Sequence, residues 1–296
     1  MPLNSPMNDE NPKSASGKLY VVATPIGHKE DITLRAVRIL SQVDQIAAED
    51  TRKTRRFLQS LEIKSSLISY HEHNEEERTP ALIRKLRAGL SIALVSNAGT
   101  PSVSDPGYRL IKTAIAEKIA VIPIPGVSAA TTALSVAGLP TDSFLFVGFS
   151  PRKKAKRLRQ LDALAALQQT IIFYESPKRI LALLDDIISA MGNRQGVLAR
   201  EMTKPHEEFV RGRLSSILAH LKNRPKIRGE CTLVVAGSNA PGEISREAVI
   251  AELEAALTSK AEKVSETARK IACKYNLSKN KVYQAALEIK KQQKEI

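Results

Sequence analysis

The sequence contains no tryptophan, and only 4% of its 296 residues are aromatic. Because sheet-surface RNA readers stack single-stranded bases on aromatic rings, this mode of recognition is disfavoured. Positive charge, by contrast, is abundant: 45 lysines and arginines stand against 31 acidic residues, giving a formal net charge of +14. An excess of this size favours a polyanionic partner. Together the two observations favour contact with nucleic-acid phosphates over base stacking.

Cysteine is also scarce, since only Cys231 and Cys273 are present. Two distant cysteines can build neither a disulfide framework nor a four-ligand zinc site. His71 and His73 have no third ligand spaced nearby in the sequence, so no metal is expected. The sequence has no apolar run of about 18 residues, and its polar first 16 residues do not resemble a secretory signal. We therefore expect a cytoplasmic protein without a membrane partner.

The motifs of several common enzyme classes are missing as well. No strand is followed by the glycine fingerprint of dinucleotide-binding proteins, and no phosphate-binding Gly-Lys-Ser/Thr loop occurs. There is no nucleophile elbow of the kind that serine hydrolases carry. These absences remove support for nucleoside-triphosphate chemistry, ordinary hydride transfer and serine or cysteine hydrolysis.

What the sequence does contain, from Lys18 onward, is a regular alternation of short apolar segments with amphipathic segments of helical spacing. This pattern predicts βαβ units and a mainly parallel sheet. A glycine followed by a proline, at Gly138 and Pro140, stops a helix and marks a boundary. Beyond it, two late strands are separated by only a short helix, which favours a mixed sheet. The fold class is therefore α/β.

The last part of the chain, from Ile244, is composed of helix-forming residues. Three helices are predicted, and the turn Tyr275–Ser278 between the last two resembles a helix-turn-helix. A helical cap that packs on the body or on a partner subunit explains the pattern equally well. The predicted organisation is a disordered tail (1–17), two α/β domains (18–139 and 140–240) and a helical extension (241–296).

A stretch of small and turn-forming residues, Ser96–Gly107, follows the apolar segment Ile92–Val95. Gly99 and Gly107 permit backbone angles that other residues avoid, and the lack of bulk lets a ligand approach the main chain. Ligands of α/β sheets bind at the carboxyl ends of strands, where this loop is predicted to lie. The stretch is therefore the leading candidate for a binding loop.

Four more stretches lie at predicted strand ends: Val22–His28, Ala48–Arg52, Ile124–Ala129 and Phe173–Arg179. Read with Ser96–Gly107, they resemble stretches of the tetrapyrrole methylase family, whose members have the class III methyltransferase fold. The resemblance covers roughly Lys18–Ala236. It implies two α/β domains with S-adenosylmethionine bound in the cleft between them, and a C-terminal helical extension.

The residues of several of these stretches, and of Arg200–Glu207, are similar to those found in one branch of that family. Members of the branch methylate the ribose 2′-hydroxyl of a cytidine in 16S rRNA. The resemblance thus implies a methyltransferase whose partner is 16S rRNA, within the 30S subunit, and which forms a homodimer. It implies no metal cofactor.

The resemblance also implies particular cofactor contacts. They fall on Pro25 in the first loop, on Gly99, Thr100 and Pro101 in the central loop, on Ser128 and Ala129 after the Pro-Gly turn, and on Glu175 in the second domain. Many relatives carry Gly-Asp-Pro in the central loop, whereas this sequence has Thr100 as the middle residue. The hydroxyl and the main chain would then hold the amino-acid end of the cofactor.

A ribose hydroxyl is a poor nucleophile, so a base, or a cation that favours the alkoxide, is expected beside it. The candidates are Glu49, Asp105, Glu175, Lys178 and Glu201. For Glu49 and Glu201, helix capping or pairing with arginine is an equally good explanation. Two basic segments are candidates for RNA phosphates, with Arg52, Arg55, Arg152, Lys153, Lys154 and Arg157 as the predicted contacts.

Two alternatives remain open from the sequence. The chain could methylate a tetrapyrrole of the precorrin type, although such enzymes have little need for a surface of charge +14. It could also be a ribosome-binding factor that keeps the fold without catalysis.

Overall fold

Strands and helices succeed one another in the first half of the chain, as the alternating pattern predicts. The computed structural model describes residues 17–238, 246–258, 264–274 and 279–292. The first ten elements are β1 Lys18–Val22, α1 Leu34–Gln42, β2 Gln45–Ala48, α2 Thr51–Gln59, β3 Leu67–Ser69, α3 Glu75–Arg87, β4 Ile92–Val95, α4 Tyr108–Ala116, β5 Ala120–Ile124 and α5 Ala129–Ser135. The predicted tail, up to residue 16, lies outside the described residues.

The five strands of this half form one parallel sheet in the order β3-β2-β4-β1-β5. All four residues of β4 are buried, as expected for a strand covered on both faces. Apolar clusters on the two faces, around Leu40 and Leu82, attach the helices to the sheet. Because the strands are parallel, the residues that follow β1, β2, β4 and β5 meet at one edge.

Helix α3 begins earlier than the sequence predicts. Helical spacing of the apolar residues predicts a helix over Thr79–Ala88, next to Pro80, whereas the helix begins at Glu75. Its first turn contains Glu75, Glu76 and Glu77, and negative charge is favourable at a helix N-terminus. The hydroxyl of Thr79 donates a hydrogen bond to the carbonyl of Glu75, and Pro80 lies in the second turn of the helix.

The second half forms a mixed sheet. Its elements are β6 Phe144–Phe149, α6 Lys154–Leu164, β7 Thr170–Glu175, α7 Ile180–Met191, β8 Gln195–Arg200, β9 Glu208–Arg213, α8 Leu214–Lys222 and β10 Cys231–Val235. The strand order is β6-β7-β10-β8-β9, in which β6 and β7 are parallel and the remaining pairs are antiparallel. The predicted mixed sheet is thus confirmed, and its last strand in sequence lies at its centre.

Helix α5 joins the two lobes, which we define as residues 17–139 and 140–238. Its alanines and Leu134 form one apolar cluster with Ile172, Val197 and Val234 of the second sheet. Small side chains let the helix backbone lie close to the second sheet, and the same cluster includes Ile26, Ala98 and Val127 from the loops of the first lobe. This packing places the edge loops of the first sheet opposite the second lobe.

Contacts divide the chain into two compact units after Gly237. The second unit contains α9 Arg246–Thr258, α10 Val264–Lys274 and α11 Lys279–Gln292. Its buried cluster comprises Leu253, Ala268, Ile271, Ala272, Val282, Ala286 and Ile289. The turn of the suggested helix-turn-helix, residues 275–278, lies outside the described residues. Within the described ranges, no helix is both long and apolar enough to cross a membrane.

Arg157 differs from the sequence prediction, which grouped it with exposed cations that contact RNA. Helix α6 turns this side chain inward, where it is only 6% exposed. Its Nε donates a hydrogen bond to Asp186 Oδ2 at 2.7 Å, and its Nη1 donates to the carbonyl of Pro151 at 3.2 Å. Arg157 therefore joins α6 to α7 and does not belong to the exposed basic surface.

We expect Arg157→Ala to lower the free energy of unfolding by about 3–5 kcal/mol, because it leaves the buried Asp186 carboxylate without its main partner. Urea denaturation measures the change. Arg152→Ala, which removes an exposed cation from the same segment, is the matched control and should change stability by less than about 0.5 kcal/mol. Equal effects of the two substitutions would contradict the structural role of the pair.

Candidate functional site

A cavity of about 390 Å³ lies between the two lobes, and we call it the cleft. Both lobes contribute to its walls. Its lining residues are Ile26, Glu49, Lys53, Asn97, Ala98, Gly99, Thr100, Val103, Ser104, Asp105, Ser128, Ala129, Phe149, Tyr174, Glu175, Ser176, Pro177, Met202, Glu230, Cys231 and Thr232. Its size is within the range of pockets that bind cofactors.

Main-chain hydrogen bonds connect the loops of the first lobe. Thr24 and Gly99 exchange two bonds of 2.9 Å, each through its own N–H and carbonyl. The hydroxyl of Thr100 donates to the carbonyl of Val127 at 3.2 Å. The loops after β1, β4 and β5 are thereby held as one surface.

Gly99 has a backbone conformation that suits glycine, with φ of 75°. This angle turns the chain so that Gly99 pairs with Thr24 directly after the buried β4. A Cβ at this position would be 3.6 Å from Ile26 Cγ2, which is an ordinary contact. The requirement for glycine therefore comes from the backbone angle and less from lack of space.

Tyr174, at the end of β7, connects the second lobe to this surface. Its hydroxyl accepts a hydrogen bond from the N–H of Ala130 at 3.0 Å, in the first turn of α5. Its ring makes edge-to-face contacts with Phe146 and Phe149, whose centroids are 4.8 and 5.8 Å away. Phe149 is 55% exposed and forms an apolar part of the cleft.

Glu175 is a buried carboxylate in the wall of the cleft, with a side chain that is 1% exposed. It accepts hydrogen bonds from Ser150 Oγ at 2.7 Å and from the N–H of Ser176 at 2.8 Å. The guanidinium of Arg179 is 2.8 Å from its Oε2. A carboxylate with this many partners is fixed in place.

Asp105 has different surroundings. Burial, and the nearby negative charge of Glu49, raise the pKa of the Asp105 carboxyl to about 6. Glu49 is itself held in position, because its Oε2 accepts the N–H of Asn97 at 3.1 Å. With Glu175 and Glu230, four acidic side chains of the described chain line the cleft, against one cation, Lys53.

The cysteine in the cleft is not suited to nucleophilic chemistry. Burial raises the pKa of the Cys231 thiol to about 12, so the thiol is neutral at physiological pH. Cys231 is 3% exposed at the start of the central strand β10. We therefore assign Cys231 to packing. The acidic side chains are the candidates for chemistry in the cleft.

Comparison with known proteins agrees with this architecture. Residues 18–218 match the family model described as Tetrapyrrole (Corrin/Porphyrin) Methylases. The chain belongs to this family. The similarity that the five sequence stretches suggested is thus confirmed.

Several curated members of the family are closely similar to this chain. All three named here are called "Ribosomal RNA small subunit methyltransferase I". The protein from Halalkalibacterium halodurans is 52% identical over 75% of this chain and 76% of its own length. The one from Micromonospora olivasterospora is 46% identical over 92% of this chain and 87% of its own length. The one from Bacillus subtilis is 42% identical over 93% and 96%.

Solved structures of the family show the same fold. The methyltransferase CobJ superimposes with a TM-score of 0.58 at 18% identity, over 75% of this chain and 95% of its own. Uroporphyrin III C-methyl transferase from Thermus thermophilus has a TM-score of 0.55 at 20% identity, over 74% and 97%. The expected class III architecture of two α/β lobes is therefore confirmed.

The structure brings most of the predicted site residues together. Those that line the cleft are Glu49, Gly99, Thr100, Asp105, Ser128, Ala129 and Glu175. Pro101, within the central loop, is buried and does not line the cleft, and Pro25 lines a second cavity beside the cleft. Lys178 is exposed at the surface, and neither it nor Glu201 is among the lining residues.

Glu201 belongs to a local charge network. Burial alone raises the pKa of its carboxyl, but the N–H of Glu230 and the ammonium of Lys204 outweigh burial and hold the pKa below its ordinary value. The Lys204 Nζ is 2.9 Å from Glu201 Oε1 and 3.0 Å from Glu230 Oε2. Glu201 is therefore ion-paired, but its partner is Lys204 and not the arginine that the sequence suggested as an alternative.

The remaining basic candidates differ from Arg157. Arg52, Arg55, Arg152, Lys153 and Lys154 are exposed, as a contact with phosphates requires. Two of them form long ion pairs: Arg52 Nε is 3.7 Å from Asp50, and Lys154 Nζ is 3.8 Å from Asp186. Their assignment to RNA stays a prediction.

Other lining residues were missed at the level of sequence. Ile26, Tyr174 and Met202 lie inside stretches that had been recognised, so strand ends alone could have indicated them. Glu230 and Thr232 have no such signal. They reach the cleft because β10 lies between β7 and β8, and that order is set by long-range pairing.

Gly99→Ala should weaken S-adenosylmethionine binding at least tenfold, because a φ of 75° is strained for alanine and relaxation would displace the paired loops. Isothermal titration calorimetry measures the affinity. Gly192→Ala is the matched control, since Gly192 ends α7 with φ of 86° and a Cβ added there would meet no atom within 4 Å. Unchanged affinity in Gly99→Ala would remove the central loop from the binding site.

Asp105→Asn should raise the melting temperature at pH 8. The pKa of Asp105 is raised to about 6 from 3.8, so its ionisation opposes folding. The fold is favoured where the carboxyl is protonated, and that advantage is lost as pH rises from about 4 through 6. The difference between the variant and the original chain should therefore shrink as pH falls towards 4 in thermal melts. A constant difference would contradict the raised pKa.

Proposed function

We propose that this chain transfers a methyl group from S-adenosylmethionine to the ribose 2′-hydroxyl of cytidine-1402 in 16S rRNA. The observation that carries the proposal is similarity over nearly the whole chain. Relatives called "Ribosomal RNA small subunit methyltransferase I" are 42–52% identical to it, and three of them cover 92% or more of its length. The positive net charge of +14 supports an RNA acceptor over a tetrapyrrole.

The chemistry of the cleft suits this cofactor. When bound, S-adenosylmethionine supplies a methyl group activated by a cationic sulfonium. Of the four carboxyl groups that line the cleft, Glu175 is paired with Arg179 and Glu230 with Lys204. Glu49 and Asp105 have no ion-pair partner among the described residues, and their negative charge favours a cation. The apolar lining residues Ile26, Phe149 and Met202 offer a surface for a flat ring.

The loops of the first lobe would hold the cofactor. Gly99, Thr100, Ser128 and Ala129 line the cleft on loops whose geometry is fixed by their mutual hydrogen bonds. Preorganised loops reduce the conformational entropy that is lost on binding. Pro25, which is outside the cleft, has a lesser role in this arrangement.

Asp105 is the group best placed to accept the hydroxyl proton of the ribose. It lines the cleft, and a pKa of about 6 leaves it mostly ionised at neutral pH while it remains a stronger base than an ordinary carboxylate. Glu175 is engaged by Ser150 and Arg179, and Glu49 by Asn97. Those two residues shape the charge of the site, and Asp105 takes the proton as the oxygen attacks.

The exposed cations would contact the RNA. Arg52, Arg55, Arg152, Lys153 and Lys154 provide positive charge that neutralises phosphates, a contribution that weakens with salt. We propose in addition that the acceptor is the 30S subunit, that the chain acts as a homodimer and that it works in the cytoplasm. These statements follow from the similarity to the branch.

Incubation with methyl-labelled S-adenosylmethionine and 30S subunits from cells that lack the modification tests the proposal. Label should appear in 2′-O-methylcytidine after digestion of the 16S rRNA to nucleosides. Label on a base, or transfer to a porphyrin-type acceptor in its place, would contradict the ribose assignment. Tight binding to 30S subunits without any transfer would indicate a non-catalytic ribosome-binding factor.

The role of Asp105 predicts a pH dependence of the rate. Single-turnover methylation should rise as pH increases through about 6, because the ionised carboxylate is the active form. Asp105→Asn should lower the rate by about 10²–10⁴-fold at saturating S-adenosylmethionine and abolish this inflection. An inflection that persists in the variant would assign the base to another group.

A further inference from the structure

A second cavity of about 290 Å³ lies beside the cleft, at the same edge of the first sheet. We call it the side cavity. Its lining residues are Thr24, Pro25, Gly27, Lys29, Leu40, Lys53, Thr54, Arg56, Phe57, Leu58, Val95, Ser96 and Asn97. They come from the loops after β1 and β4 and from helices α1 and α2, so only the first lobe is involved.

The charge of the side cavity is opposite to that of the cleft. Its charged lining residues are Lys29, Lys53 and Arg56, all of them exposed, and no acidic side chain of the described residues lines it. Buried Leu40, Leu58 and Val95 form an apolar interior. A ligand with a flat, weakly polar part and a negatively charged part matches this combination, and a nucleotide has both.

Phe57 gives the cavity a ring surface. It is one of only six phenylalanines in the chain and lies half-buried on α2. Its neighbour Leu58 belongs to the core cluster of the first lobe, whereas Phe57 is absent from that cluster as the structure describes it. A partly exposed ring that the core does not use is available for stacking on a base, which tolerates any base identity.

The side cavity and the cleft share two lining residues, Lys53 and Asn97. A base in the side cavity would therefore have its own ribose near this shared wall, which faces both cavities. The main-chain N–H of Asn97 is already bonded to Glu49, so the wall is held in place on the cleft side. Enzymes that modify a nucleotide commonly unstack it and bind it in a pocket.

We propose that the side cavity binds the unstacked base of the acceptor nucleotide, with Phe57 against the base and with Lys29, Lys53 and Arg56 at the flanking phosphates. This inference rests on the proposed function, because it assigns the RNA side of the same reaction. The cofactor and the acceptor then occupy adjoining cavities of opposite charge. Lys53 and Asn97 lie where the two meet.

Two variants test the assignment on the full-length chain with unmethylated 30S subunits. Phe57→Leu removes the ring face but keeps an apolar side chain, and Arg56→Gln removes a cation at the rim. Each should lower kcat/KM for the 30S subunit about tenfold or more. The affinity for S-adenosylmethionine, measured by calorimetry, should stay within about twofold. Arg56→Gln should also flatten the salt dependence of kcat/KM.

Lys64→Gln is the matched control, because Lys64 is an exposed cation that precedes β3 at the opposite edge of the sheet. Phe57→Tyr keeps the ring and should retain most of the activity. Circular dichroism and thermal melting exclude a folding defect in each variant.

The outcomes separate the two proposals. If the original chain does not methylate 30S subunits, the proposed function fails. If it does, and both variants behave like Lys64→Gln, the side cavity does not bind the acceptor. A loss of S-adenosylmethionine affinity in Phe57→Leu would also overturn the inference, since the cavity would then belong to the cofactor.

Discussion

The pair of main-chain hydrogen bonds between Thr24 and Gly99 is the interaction on which the site depends most directly. It connects the loops that follow two neighbouring strands, β1 and β4, and it requires the positive φ of Gly99. The adjoining Thr100 then reaches Val127, which extends the connection to the loop after β5. Three loops that could each move separately are thereby combined into one rigid wall, and rigid loops retain their geometry when a ligand binds.

The charges of the chain are separated, with acidic side chains in the cleft beside this wall and most cations at the surface. A chain of net charge +14 would repel a sulfonium cation if its charge were spread evenly. Instead, acidic side chains collect in the cleft, where burial and then the nearby charge of Glu49 raise the pKa of Asp105. The cations remain at the surface or, like Arg157, form buried pairs that stabilise the fold. One basic protein can thus provide an acidic site for the donor and a positive surface for the acceptor.

Most of the first lobe could be predicted from sequence, because its strands and turns are each indicated by residues that are close together in the chain. Each parallel strand is a short apolar run, and the loop after it carries the glycine, the proline or the hydroxyl that the turn requires, as in Ser96–Gly107. The second lobe contributes through pairing between distant strands. Glu230 reaches the cleft because β10 inserts between β7 and β8, and Arg157 turns inward because Asp186 lies on the neighbouring helix. From composition alone, Arg157 is indistinguishable from the exposed cations around it. Its burial depends on the ion pair with Asp186, which the local sequence does not reveal.

Helix α2 explains why the stretch Ala48–Arg52 has its particular sequence. Glu49, at the end of β2, accepts the Asn97 N–H and belongs to the cleft. The next residue, Asp50, caps the helix by accepting the N–H groups of Arg52 and Lys53, and these bonds lower the pKa of its carboxyl. The cap fixes the first turn, so Lys53 lies where cleft and side cavity meet. Two adjacent acidic residues therefore have separate tasks, one in the charge of the site and one in the placement of the lysine that separates its two halves.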